Sequence, residues 1–126
     1  TEQYPIIMVS HATMTSVDTL PASLSKKHIE KLKTLGCTNA LLISDDMDMK
    51  SVTNTYKLKD VLEKSINAGV DMLIFSNNMG KYDKDKYTKI QTALHELIDS
   101  GAIPAEHIDE AYKKIIKYKK QYGVIK

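Results

Sequence analysis

Three apolar runs in this chain end in the same way. Met8-Val9-Ser10-His11, Leu42-Ile43-Ser44-Asp45 and Ile74-Phe75-Ser76-Asn77 each close with a serine and then a residue able to do chemistry. An imidazole can bind substrate, act as a general base or hold a metal. A carboxylate on a rigid strand end can attack as a nucleophile or ligate a metal. A carboxamide can hydrogen-bond a sugar or brace a loop. The closing residues stand 34 and 32 positions apart, an interval that fits a strand, a crossover helix and two loops. Parallel strands would bring His11, Asp45 and Asn77 to one edge of one sheet. That is the edge where α/β sheets and barrels gather their functional groups.

The densest chemistry lies in Ser44-Asp45-Asp46-Met47-Asp48-Met49. Two catalytic readings compete with a plain one, a solvated loop that caps a helix. In the first, Asp45 is the nucleophile of a glycoside hydrolase. In the second, Asp46-Met47-Asp48 resembles the Asp-x-Asp of haloacid-dehalogenase-like phosphotransferases, which use Mg²⁺. Met49-Lys50 stands where those enzymes carry Gly or Thr, and no later acidic pair closes a strand. His28, His95 and His107 fall on helices and are expected to be exposed. Tyr112, Tyr118 and Tyr122 are expected to pack a terminal helix. No Gly-rich phosphate loop, nucleophile elbow or Cys/His metal spacing occurs.

The elements that must position these residues follow from apolar spacing. Residues 6–10 read as a fully buried strand. Ser25 should N-cap a helix over residues 26–35, with Ile29, Leu32 and Leu35 inward and Gly36 closing it. Residues 40–44 form the second strand. A helix over residues 58–68 buries Val61, Leu62, Ser65 and Ile66 and stops at Gly69. Residues 70–76 are the third strand. A helix over residues 83–100 turns Tyr87, Ile90, Leu94 and Leu97 inward and ends at Gly101. Pro104 should open the last helix at its first position. Right-handed crossovers put the helices on one face of a three-stranded parallel sheet, leaving two open edges and one uncovered apolar face.

A chain of 126 residues suggests one domain. A net charge of +2 points to neither nucleic acid nor a membrane surface, and no run reaches the length of a membrane helix. Lysine supplies all 18 basic charges, so no guanidinium fork for a carboxylate or phosphate is present. The lone Cys37 excludes an intrachain disulfide and reads as a buried, inert thiol. The chain has no starting Met and runs almost directly into a strand, which reads as a cut end with no basic or apolar targeting signal. Cytoplasmic and secreted or periplasmic locations therefore both stay open.

Pro5-Ile6-Ile7-Met8-Val9-Ser10-His11, Leu20-Pro21-Ala22-Ser23-Leu24-Ser25 and Ile43-Ser44-Asp45-Asp46-Met47-Asp48-Met49 occur in that order, followed by Ala68-Gly69-Val70-Asp71-Met72 and Ser76-Asn77-Asn78. Together they resemble the C-terminal part of the family 3 glycoside hydrolase barrel, in its bacterial β-N-acetylhexosaminidase branch. The β-glucosidase branch more often shows Ser-Asp-Trp, and this chain has no Trp.

The resemblance implies an α/β fold, a partial (β/α)8 TIM barrel of about three parallel strands, the sixth to eighth, plus a C-terminal helix. Residues 1–126 would form one barrel fragment. It implies Asp45 as the nucleophile of a retaining reaction on terminal β-linked N-acetylglucosamine, of peptidoglycan-fragment type. No metal or organic cofactor is implied. His11, Asp46, Met49, Asn77 and Asn78 are the candidate substrate-binding residues. The family's His/Asp acid/base loop and sugar-holding Lys, His and Arg lie in earlier segments. The chain is therefore expected to be inactive alone, and to self-associate or pair with the missing barrel half. The alternative is a non-enzymatic remnant that binds sugar or serves as an interaction module; an Mg²⁺ phosphotransferase is the weaker third.

Overall fold

In a computed structural model, residues 5–126 are described; residues 1–4, part of the expected cut end, lie outside them. Strands β1 (Ile6–Val9), β2 (Leu41–Asp46) and β3 (Met72–Ile74) form one parallel sheet in chain order. Between them lie helix α1 (Lys26–Thr34), the short α2 (Lys50–Thr53) and α3 (Leu58–Ala68). Helices α4 (Lys86–Asp99) and α5 (Ala105–Gln121) follow β3. The expected arrangement of strands, crossover helices and terminal helix is therefore the one found.

The local chemistry accounts for the helix ends. The Ser25 side chain accepts the His28 amide at 3.2 Å and so caps α1. Gly69 ends α3 at φ 106°, a conformation that disfavours a side chain. Pro104 is the N-cap of α5 and not its first helical residue, because its ψ of 133° is extended.

The core lies between the sheet and the helices. Val9, Ile29, Ala40, Leu42, Ala68 and Val70 form one cluster beneath β1 and β2. Leu62, Ala93, Leu97 and Ile103 form another between α3 and α4, against which Leu73 and Phe75 pack. On the opposite face Leu41 is buried, but Ile6, Met8, Met72 and Ile74 are all exposed and that part of the sheet is open. The strands are thus covered mainly on one face, and β1 is not buried on both sides as its unbroken apolar run suggested. Helix α5 lies against the amino ends of the strands, where Lys114 meets Asp71 at 2.8 Å and the Tyr118 hydroxyl donates to the Asn39 carbonyl at 2.9 Å.

Several inward assignments are corrected. Leu35, Tyr87, Tyr112 and Tyr122 are exposed. Leu35 falls just past the last turn of α1 and borders the free edge of β1, where no described element covers it. On α4 the neighbouring Lys86 turns inward in place of Tyr87. Of the terminal tyrosines, Tyr118 is buried and stacks on Tyr122 at 6.1 Å. Neither His28 nor His107 is fully exposed: both His28 ring nitrogens are buried, and His107 Nδ1 donates to Asn67 Oδ1 at 3.0 Å. Cys37 is half-buried against the first core cluster. No described helix is long and apolar enough to cross a membrane.

Candidate active site at the strand ends

Strand β2 runs two residues further than its apolar pattern, through Asp45 and Asp46. Its pairing with β3 explains the extension. Ile43 faces Met72, but Asp46 faces Ile74, so β2 uses one residue more than β3 over the same span. This is a bulge, a device that bends a strand and re-aims a side chain. Ser44 bridges the irregularity: its fully buried hydroxyl oxygen accepts the Ile74 amide at 3.0 Å. The Met47 amide donates to the Ile74 carbonyl at 2.8 Å and resumes the pairing. Asp45 sits within the bulge, half-buried, with Oδ1 accepting the Asp46 amide at 2.8 Å. That is the one hydrogen bond of its carboxylate among the described residues, so much of the carboxylate's acceptor capacity is left open.

His11 follows β1 and is fully engaged. Its Nε2 lies 2.8 Å from the Asp46 carbonyl oxygen, and its Nδ1 lies 2.6 Å from Ser23 Oγ. A carbonyl can only accept, so Nε2 carries the proton and Nδ1 accepts the Ser23 hydroxyl. The Leu20–Ser25 stretch is shaped to supply that hydroxyl. Pro21 precedes a single 3-10 turn over Ala22–Leu24, and the Ser23 amide donates to the Ser10 carbonyl at 3.1 Å. Ser25 donates to Asp18 at 2.6 Å while capping α1.

The remaining candidates divide by partner. Asp46 Oδ1 accepts the Ser76 amide at 3.0 Å and the Asp48 amide at 3.1 Å. Burial alone would raise the Asp46 carboxyl. Hydrogen bonding at Ser76 and from the Asp48 amide outweighs burial and holds it below the usual range. Asp48 is buried, accepts the Asn77 amide at 2.8 Å and pairs with Lys86. The Lys86 ammonium also lies 5.5 Å from the centre of the Phe75 ring.

Asn77, at φ 53°, exchanges two side-chain bonds with the Asp83 backbone, at 2.8 and 3.0 Å, and so braces the loop before α4. Exposed Asn78 accepts the Ser76 hydroxyl at 2.6 Å. Half-buried Met49 caps α2, and its amide donates to the Asp46 carbonyl at 3.1 Å.

The fold thus brings Asp45, Asp46, His11, Met49, Asn77 and Asn78 to one edge, and among the described residues the Asp45 carboxylate has a single hydrogen bond, from the neighbouring amide. Asp46 and Asp48 turn toward amides and a lysine, a poor arrangement for a shared Mg²⁺, and no described group of three His, Cys, Asp or Glu could hold a metal ion. Ser23 and Lys86 were missed as parts of the site, while Ser44, Ser76 and Asp48 stood in motifs already noted but without the contacts they make. Ser44 and Ser76 carried a signal, since each closes an apolar run. The Asp48–Lys86 pair carried none, because its members are 38 residues apart.

The comparisons with known proteins bear on the family and the fold. Residues 2–118 match the model of the glycosyl hydrolase family 3 N-terminal domain. The chain belongs to glycosyl hydrolase family 3. It is similar to the β-N-acetylglucosaminidase of Thermotoga maritima, with 27% identity and a TM-score of 0.79 over 90% of this chain and 24% of that one. It is also similar to the β-glucoside phosphorylase BglX, with 26% identity and a TM-score of 0.77 over 94% of this chain and 22% of that one. A family 3 β-N-acetylglucosaminidase from Paenibacillus sp. str. FPU-7 shares the fold, with 22% identity and a TM-score of 0.81 over 95% of this chain and 22% of that one. The chain spans about a quarter of the length of these proteins. No curated protein sequence matches it. The three-stranded sheet is accordingly a glycoside hydrolase fragment, a partial barrel of the family 3 fold.

Proposed function

We propose that this chain is the C-terminal portion of a retaining β-N-acetylglucosaminidase barrel and that Asp45 is its nucleophile. The observation that carries the reading is the Asp45 carboxylate, on a bulge at the carboxyl edge of the sheet, with one hydrogen bond among the described residues and the rest of its acceptor capacity open to them. In a retaining reaction a carboxylate attacks the anomeric carbon, the aglycone leaves with a proton from an acid, and water then releases the sugar. The likeness to the Thermotoga enzyme favours N-acetylglucosamine as the sugar and water as the acceptor, whereas the likeness to a phosphorylase would favour phosphate.

The acid is not among the groups of the site. His11 is the imidazole at the strand ends, and both its nitrogens are engaged within the protein. Loss of an acid costs typically about 10²–10⁴-fold in rate, so this chain alone is inactive. The rest of the barrel supplies the acid and covers the open sheet face, and sugar binds through the completed barrel. Where that completion is absent, the same residues make a non-enzymatic interaction module.

The test is chemical rescue. In a barrel-complete polypeptide carrying this segment, Asp45→Ala should abolish release of an aryl group from its β-N-acetylglucosaminide, and azide should restore it with an α-glycosyl azide as product. Full turnover by Asp45→Ala without azide would overturn the assignment. Turnover by the 126-residue chain itself, lost on Asp45→Asn, would overturn its inactivity.

A further inference from the structure

We propose that Asp46 is a positioning residue that holds Asp45 through the ends of all three strands and does not itself meet the sugar. The proposal rests on the reading of Asp45 as the nucleophile. A bulge breaks the regular ladder along one side of a strand, so the side chain there is aimed less firmly by the backbone. A nucleophile displaced by about 1 Å can lose about 10²-fold in rate. Contacts beyond the ladder must therefore help to fix the Asp45 side chain.

The flanking side chains do so. On β3 and just beyond it, the amides of Ile74 and Ser76 point at β2, where a regular parallel strand would offer two backbone carbonyls. Here they donate instead to the side chains of Ser44, at 3.0 Å, and Asp46, at 3.0 Å. These are the residues on either side of Asp45. Two side-chain acceptors thus pin both neighbours of Asp45.

Asp46 extends the hold in two more directions. Its amide donates to Asp45 Oδ1 at 2.8 Å, which sets the rotation of the Asp45 side chain. Its carbonyl accepts His11 Nε2 at 2.8 Å and the Met49 amide at 3.1 Å, which ties in the end of β1 and the start of α2. Its carboxylate meets Ser76 and Asp48. With its amide, its carbonyl and its Oδ1 engaged inside the protein, the role of Asp46 is geometric.

A geometric role makes a distinctive prediction, because Asn keeps an acceptor oxygen and loses the charge. The experiment is NMR on the 126-residue chain, reading the couplings across the Asp45 Cα–Cβ bond and the exchange rate of the Ser76 amide. Wild type and Asp46→Asn should show one Asp45 rotamer and slow exchange. Asp46→Ala should show averaged rotamers and exchange faster by about tenfold or more, as the loss of one such bond implies. Persisting protection of Leu42 and Val61 amides in that variant shows that the fold is intact. If Asp46→Ala does not fold, Ser44→Ala removes the other flanking acceptor and should loosen Asp45 in the same way.

One fixed Asp45 rotamer in the alanine variants, or averaging in Asp46→Asn equal to that in Asp46→Ala, would overturn the proposal. Neither outcome depends on turnover. Failure of azide rescue at Asp45 would strike the nucleophile assignment while leaving these couplings as they are.

Discussion

The imidazole of His11 and the backbone of Asp46 join the ends of β1 and β2, with Nε2 donating to the Asp46 carbonyl oxygen at 2.8 Å. The other nitrogen accepts the buried Ser23 hydroxyl at 2.6 Å. This side chain links three separate stretches of sequence, and its first consequence is for stability.

Replacing His11 by Ala removes two partly buried hydrogen bonds and leaves the Ser23 hydroxyl without its acceptor. The expected cost is about 1–3 kcal/mol, read from urea unfolding. Ser23→Ala alone should cost less, and the pair of changes should fall short of the sum of the two, because they share one bond. A cost for His11→Ala within about 0.5 kcal/mol of zero, the range of ordinary surface changes, would show that the ring does not clamp the strand ends.

The Asp48–Lys86 pair is buried on the acid side and ties the loop after β2 to the start of α4. Removing one member leaves the other charge unmatched, so Lys86→Met should destabilise by about 3 kcal/mol. Adding Asp48→Asn should recover a large part of that loss. A double variant less stable than the single one would mean that the Asp48 carboxylate is held by the Asn77 amide and not by the lysine.

Acid should weaken this corner of the protein in a defined direction. Burial raises the Asp46 carboxyl, but hydrogen bonds from Ser76 and Asp48 pull it below the ordinary value of 3.8. A group with a lowered folded pKa contributes stability that is complete above its unfolded value and is lost as pH falls through the folded one. Asp18, lowered mainly by the Ser25 hydroxyl, and Asp83, lowered mainly by Lys89, act in the same sense. Unfolding midpoints should therefore fall as pH drops below about 4. Asp46→Asn should flatten part of that fall. An unchanged acid limb in the variant would remove Asp46 from the set of groups that cause it.

Much of this was legible in the chain because strands, crossover helices and glycine stops repeat at a regular interval. Leu58–Ala68 was bounded by its apolar spacing and Gly69 alone, and it is the helix found. The site was legible less evenly. Asp45 announced itself at the end of an apolar run, but the run gave no sign that β2 continues through Asp46 on a bulge. That continuation depends on the Ser44 hydroxyl serving Ile74, a contact across 30 residues. The inward face of Asn77 was likewise invisible, since its partner is the backbone of Asp83 and backbone has no sequence signature.

The last expectation concerns the face that nothing covers. Ile6, Met8, Met72 and Ile74 are exposed on the open side of the sheet, with Met8 as much as 60% exposed. The two outer strands each have an unpaired edge among the described residues. An apolar groove of about 300 Å³ borders β1, lined in part by Met8, Met14 and Leu35. A larger one of about 580 Å³, lined in part by Leu73, Phe75 and Ile115, lies by β3. Open edges beside exposed apolar surface favour association. The chain alone should therefore form concentration-dependent dimers or larger species in sedimentation. Met8→Lys and Ile74→Lys, which place charge on the open face without touching the core side, should shift it toward monomer. A wild-type monomer at every accessible concentration, with cooperative unfolding, would show that the sheet tolerates its open face and needs no partner to stay folded.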